Sequence, residues 1–219
     1  MFSSAIVRIP GKSLIDGLTD SKHLGVPDYA NAINQHKSYI EALQFCGLEV
    51  TILEPCEEYP DSTFVEDVAL ITPSCSIITR PGAESRRGEV EKIISVLETQ
   101  FNNLEAIEAP GTIEAGDIMM VGSHYYIGLS DRTNIQGAKQ LINLLEKHGY
   151  TGSTVNLKDV LHLKTGLSYL ENNMLVVCGE FISDPIFSEF EQIEIPQSES
   201  YAANSIWVND NVIIPSGYP

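Results

Sequence analysis

Apolar residues recur along this chain in blocks whose period changes in a regular order. Tyr29, Ala32, Ile33, Tyr39, Ile40 and Leu43 line one face of a helix that stops at Gly47, and residues 48–53 follow as a short strand. The order then becomes hairpin, helix, strand. Residues 64–71 and 76–79 read as a hairpin, Val90, Ile93, Ile94 and Leu97 as a helix face, and residues 104–109 as a strand. A third block repeats this: 113–121 with 125–128, a helix carrying Ile135, Ala138, Leu141, Ile142 and Leu145 that stops at Gly149, then 151–157. A fourth and weaker copy has 161–165, 174–178, a short helix near 185–190 and a strand at 192–195. A fifth begins with 206–208 and 212–214 around an Asn209-Asp210 turn.

A period of about 50 residues made of hairpin, helix and strand predicts radial repetition, an α/β propeller of ββαβ units. A doubly wound sheet is the alternative, but its strands would alternate singly with helices and not as hairpins. The fifth unit is incomplete. After Ile214 the repeat calls for a helix and a strand, and only residues 215–219 follow. The expectation is one catalytic-type domain over residues 1–219 that lacks its C-terminal helix and strand.

Hydrophobic residues at 43% and charged residues at 20% describe an ordinary globular chain, but the formal net charge of −17 does not. Such a field repels nucleic acid and anionic lipid, and it favours the approach of cationic ligands. Neither a signal segment nor an apolar run of about 18 residues appears, so the expected setting is cytoplasmic and not membrane-bound. Four cysteines, at 46, 56, 75 and 178, show no C-x-x-C pair and no zinc-like spacing with the five histidines. The expectation is a reduced protein with no metal site.

The chemistry lies in four motifs taken in order. These are Phe64-Val65-Glu66-Asp67, then Arg80-Pro81-Gly82-Ala83-Glu84-Ser85-Arg86-Arg87, then Gly111-Thr112-Ile113-Glu114-Ala115-Gly116-Asp117, and last Leu161-His162-Leu163-Lys164. Acids for a cation, arginines for a carboxylate and one histidine suit an amino acid with a guanidinium head. Carboxylates within apolar segments are costly without a cation. That cation is either a ligand or an internal partner such as Arg80 or Arg87.

With these motifs in order, the chain resembles the dimethylarginine dimethylaminohydrolases of bacterial type, within the guanidino-group-modifying (amidinotransferase) superfamily. The likeness runs from Ser13-Leu14-Ile15-Asp16-Gly17-Leu18-Thr19 to Gly217-Tyr218-Pro219 and is most specific over 64–89 and 111–165. It implies a five-bladed propeller that hydrolyses N-methylated arginine to citrulline and a methylamine through a cysteine covalent intermediate, without a cofactor. It implies Asp67 and Glu114 as guanidinium ligands and His162 as general acid–base. Arg86 and Arg132 would hold the α-carboxylate, with the adjacent Arg87 as the other candidate for the first of these.

Asp61 would face the α-amino group, Glu66 the guanidino end, and a backbone group of Leu18 the amino end from a segment, 17–25, that folds over substrate. The family's cysteine lies on the last strand of the fifth blade, and none of the four cysteines here is placed as an activated thiolate. The alternatives are a non-catalytic arginine or methylarginine binder, an arginine deiminase, and a purely structural domain. The partner is a small molecule, with a homodimer as the expected assembly.

Overall fold

Helices and strands form close to where the hydrophobic periods place them. The computed structural model describes residues 1–19, 22–101 and 104–218. By contact density it divides into two units, Met1–Val65 with Val208–Asn211, and Glu66–Trp207 with Val212–Pro219. Among the described residues no helix is long and apolar enough to cross a membrane.

The first unit contains β1 (Ser4–Arg8), α1 (Tyr29–Phe45) and β2 (Glu49–Leu53). The two strands pair in parallel, Ser4 opposite Glu49 and Arg8 opposite Leu53. Asp28 caps α1 by accepting from the Asn31 amide at 3.1 Å. The helix stops where Gly47 takes a φ of 86°, a left-handed conformation that favours glycine. Asn209 ties three segments of this unit together. Its side chain accepts from the Phe2 amide at 2.7 Å and donates to the carbonyls of Phe2 and Cys46.

The second unit repeats one sheet three times. The strands are β3 (Ala69–Ile71), β4 (Ser76–Ile78) and β5 (Leu104–Ala106), with α2 (Glu91–Leu97) before β5. They continue with β6 (Ile118–Val121), β7 (His124–Leu129) and β8 (Thr151–Asn156), with α3 (Ile135–Lys147) before β8. The third set follows the short α4 (Leu163–Gly166) and comprises β9 (Leu167–Tyr169), β10 (Met174–Cys178) and β11 (Glu191–Ile195). In each set the middle strand pairs antiparallel with the first and parallel with the last. Two of those middle strands, β4 and β10, are almost wholly buried, as expected of a strand covered on both faces. A last pair, β12 (Ile206–Val208) and β13 (Asn211–Ile213), closes the described chain.

Between the first two sheets Ile77, Ile113, Ile127, Ala138, Leu141 and Leu145 form one buried cluster. Met119, Val155, Leu163, Leu175, Phe181 and Phe187 form the next. These are core positions named by the sequence pattern or their direct neighbours. The structure departs from the pattern at the start of each hairpin. Residues expected to extend as strands from 64, 113 and 161 instead make short helical turns, at Val65–Val68, Ala115–Asp117 and Leu163–Gly166. The expected fourth helix near 185–190 is a single 3-10 turn, Pro185–Phe187, capped by Asp184.

Candidate functional site

The helical turns that interrupt the expected strands carry the chemistry. Asp67 sits in the turn before β3, Glu114 immediately precedes the turn before β6, and His162 immediately precedes α4 before β9. Three successive repeats thus each place one polar side chain in or just before the turn that leads into the first strand. The backbone of His162 is fixed by Thr165, whose Oγ1 accepts from the His162 amide at 3.3 Å while its own amide donates to the His162 carbonyl at 3.0 Å.

The three side chains converge. The donor atoms of Asp67, Glu114 and His162 lie within 4.8 Å of one another. Asp67 accepts from the Gly116 amide at 2.9 Å through Oδ1 and from Arg86 Nη1 at 2.6 Å through Oδ2. Gly116 suits this close approach, because a Cβ would stand 3.0 Å from both Asp67 Oδ1 and the His162 ring. Glu114 Oε1 accepts from the Ala83 amide at 3.1 Å. Its Oε2 faces His162 Nε2 at 3.5 Å and Arg86 Nη1 at 4.0 Å, neither close enough to be a made hydrogen bond.

A polar turn holds Glu114 and its neighbours in place. Thr133 Oγ1 accepts from the Glu114 amide, Asn134 Oδ1 from the Thr112 amide, and Ser130 Oγ donates to Asp117 Oδ2 at 2.7 Å. Asn134 Oδ1 also caps α3 through the Gly137 amide.

Three buried carboxylates, those of Asp67, Glu89 and Glu114, surround the permanent cation of Arg86, and a fourth, that of Asp117, faces His162. Burial alone would lower the pKa of that guanidinium, but hydrogen bonds and charge from Glu89 and Asp67 hold it above its usual value. Burial likewise pulls on the His162 imidazole, and the Asp117 carboxylate, helped by the charges of Asp67 and Glu114, outweighs it. The pKa of His162 therefore lies above its ordinary value. Even with the imidazole charged, negative groups outnumber positive ones. A further cation completes such a site at less cost than leaving the acids uncompensated.

The structure brings Asp67, Glu114 and His162 together and differs over Arg86. That residue was expected at the α-carboxylate, and instead it is buried among the acids. Its Nε and Nη2 form a fork onto Glu89 at 3.0 and 2.8 Å. The reason is local: residues 84–90 form a 3-10 helix, in which positions three apart lie on one face, so Arg86 meets Glu89. By the same spacing Arg87 meets Glu84, at 3.0 Å, and remains one-third exposed. Asp67 does have the internal ion pair that the sequence left open, but its partner is Arg86 and neither Arg80 nor Arg87.

Arg132 stands half-buried in the polar turn. Glu66 is exposed and pairs with Lys164. Leu18 and Asp61 belong to the first unit, where the Leu18 amide donates to Asp61 Oδ1 at 3.0 Å and Asp61 is 7% exposed. Asp61 is therefore a buried acceptor and not a solvated turn acid. Of the 17–25 segment expected to fold over substrate, residues 20 and 21 lie outside the described residues. Sequence reasoning missed Glu89, Asp117, Ser130 and Thr133. The spacing of Arg86 to Glu89 could have shown the first.

The profile described as N,N dimethylarginine dimethylhydrolase, eukaryotic, matches residues 27–203. The N(G),N(G)-dimethylarginine dimethylaminohydrolase of Pseudomonas aeruginosa is 61% identical over 220 residues, spanning all of this chain and 86% of that protein. The chain belongs to the dimethylarginine dimethylaminohydrolase family. Its mixed α/β fold of small sheets matches solved members. A cysteine-to-serine variant of the Pseudomonas aeruginosa enzyme complexed with citrulline superposes with a TM-score of 0.98 at 61% identity, over 100% of this chain and 86% of that one. A histidine-to-glycine variant of a dimethylarginine dimethylaminohydrolase, as its adduct with S-methyl-L-thiocitrulline, matches equally at 60% identity over the same shares.

Proposed function

We propose that this protein hydrolyses an N-methylated arginine to citrulline and a methylamine, with a cysteine as nucleophile. The observation that carries the reading is the excess of buried carboxylate around His162, in a chain whose close relative acts on dimethylarginine. A planar guanidinium has donors along its edges, so Asp67 and Glu114 fit its two sides and fix the plane of its carbon. A thiolate adds to that carbon, and His162 gives a proton to the departing amine. His162 then takes a proton from the water that attacks the resulting thiouronium, and the thiolate is expelled as citrulline forms.

The propeller belongs to the same proposal. Two ββαβ units, a third in which a 3-10 turn stands for the helix, a parallel β1–β2 pair and the β12–β13 pair support a five-bladed ring. A cysteine-to-serine variant of the relative was the form complexed with citrulline, which supports a cysteine as nucleophile. Among the described residues no cysteine sulfur joins the Asp67–Glu114–His162 group. Arg132 is our choice for the α-carboxylate, with Asp61 and Leu18 for the amino end and Glu66 at the guanidino end. Recruiting Arg86 to the carboxylate would first require breaking its contacts to Glu89 and Asp67. All four cysteines are free, which supports a reducing cytoplasm.

The test is release of citrulline from asymmetric dimethylarginine by the full-length gene product, with titration calorimetry alongside. Turnover is expected, faster than on arginine, which separates this reading from a deiminase. A second reading is a methylarginine binder that does not turn over. Binding without citrulline release would select it.

A further inference from the structure

The Nδ1 atom of His162 is buried and has no hydrogen-bond partner at normal length, yet a carboxylate is aimed at it. Asp117 Oδ2 stands 3.4 Å away, and Asp117 is fully buried. Each oxygen of that carboxylate already accepts one hydrogen bond. Its Oδ1 accepts from the Leu163 amide at 3.0 Å, so Asp117 holds the backbone beside the histidine as well as facing its ring. Its Oδ2 accepts from Ser130 Oγ at 2.7 Å.

The direction of that last bond follows from counting. A hydroxyl has one proton and two lone pairs. The lone pairs of Ser130 Oγ are taken by the amides of Arg132 at 3.0 Å and Thr133 at 3.1 Å, so its proton is left for Asp117. The remaining acceptor capacity on Oδ2 points at Nδ1. On the other side of the ring, Nε2 faces Glu114. Asp67 is the third acid near the imidazole, and Lys164, two residues on, is turned to Glu66.

We propose that Asp117 is the positioning residue that keeps a proton on His162 Nδ1 throughout turnover. Only Nε2 then exchanges protons with the substrate, and Ser130 sets Asp117 from the turn that carries Arg132. This rests on the proposed hydrolysis for its catalytic consequence, but not for its structural content. The proton balance is simple. Nε2 loses its proton to the leaving amine and regains one from the attacking water, while the Nδ1 proton never leaves. A histidine held in the other tautomer would present a proton where the base is needed, and the second half of the reaction would stall. The same arrangement ties recognition to chemistry, because ordering the turn around Arg132 on a substrate carboxylate also orders Ser130.

Imidazole nitrogen NMR of the full chain tests this without substrate, with His162→Gln used to assign the signal. Above its titration, wild-type His162 is expected as the Nδ1–H tautomer, and Asp117→Asn is expected to lose or invert that preference. An Nε2–H tautomer in the wild type, or an unchanged tautomer in Asp117→Asn, overturns the proposal. If Asp117→Asn does not fold, Ser130→Ala decides, since it should shift the tautomer populations in the same direction.

In the full-length enzyme, Asp117→Asn should lower kcat by about a hundredfold or more, with KM changed by less than about threefold. Unchanged kcat would sink the proposal. The expected tautomers in a protein that turns over no methylarginine would uphold the positioning and overturn the hydrolysis instead.

Discussion

At the level of single residues, Asp67 and Glu114 are acids whose partners leave charge to spare. Asp67→Asn or Glu114→Gln should each weaken binding of an arginine-like cation by about 1.5–3 kcal/mol, the range for a hydrogen bond to a charged group. Glu66→Gln should change it less, because Glu66 lies exposed and already pairs with Lys164. Titration calorimetry on the three variants gives the order. Arg132→Leu should impair ligands that carry a free α-carboxylate and spare methylguanidine, which has none. An equal loss on both would place Arg132 elsewhere.

His162 makes a prediction about pH. Its folded pKa is raised, so its proton stabilises the fold fully below the unfolded value of about 6.5 and ceases to do so as pH rises through the higher folded value. The difference in unfolding free energy between wild type and His162→Gln should be largest near pH ~5.5 and shrink steadily above pH ~6.5.

At the level of elements, the 3-10 helix over Glu84–Val90 decides what the arginine-rich motif does. Its threefold repeat turns Arg86 inward onto Glu89 and Arg87 outward onto Glu84. Glu89→Leu should destabilise the protein by about 3 kcal/mol, at the low end for a broken buried pair because Asp67 still faces Arg86. Adding Arg86→Met should recover part of this, as measured by urea unfolding, since a packed apolar side chain leaves no buried charge.

The elements themselves were legible where the period was long. α1 and α3 were read with their stops at Gly47 and Gly149, and the strands Thr151–Asn156 and Met174–Cys178 within a residue. The turns at Val65–Val68, Ala115–Asp117 and Leu163–Gly166 were not. Three or four residues span one turn, too few for a helical period to stand out from an alternating one. In or just before those turns stand Asp67, Glu114 and His162, which the motifs singled out and the structure brings together, while their local conformation was not legible.

At the level of the whole molecule, the charge of −17 acts on every ligand that approaches. Salt shortens the reach of that field to about 8 Å at 0.15 M. Association of dimethylarginine, a net cation, should therefore slow by severalfold between about 0.02 and 0.5 M salt, while citrulline, with no net charge, should hardly respond. Stopped-flow binding of both ligands checks this, and an equal response would assign the effect to something other than the field.

The sequence by itself determined the repeat, because hydrophobic period is a local property that each unit shows on its own. It also singled out Asp67, Glu114 and His162, which stand in motifs whose order survives without knowledge of the fold and which the structure brings together. What only the tertiary structure decided was pairing. Arg86 and Arg87 are adjacent and chemically identical, and only packing chose which one meets Asp67 from 19 residues away. Asp117 reads as an ordinary turn acid until folding brings it against His162, with Oδ2 facing Nδ1. The energy of a buried charge depends on what surrounds it in three dimensions, and no spacing along the chain encodes that.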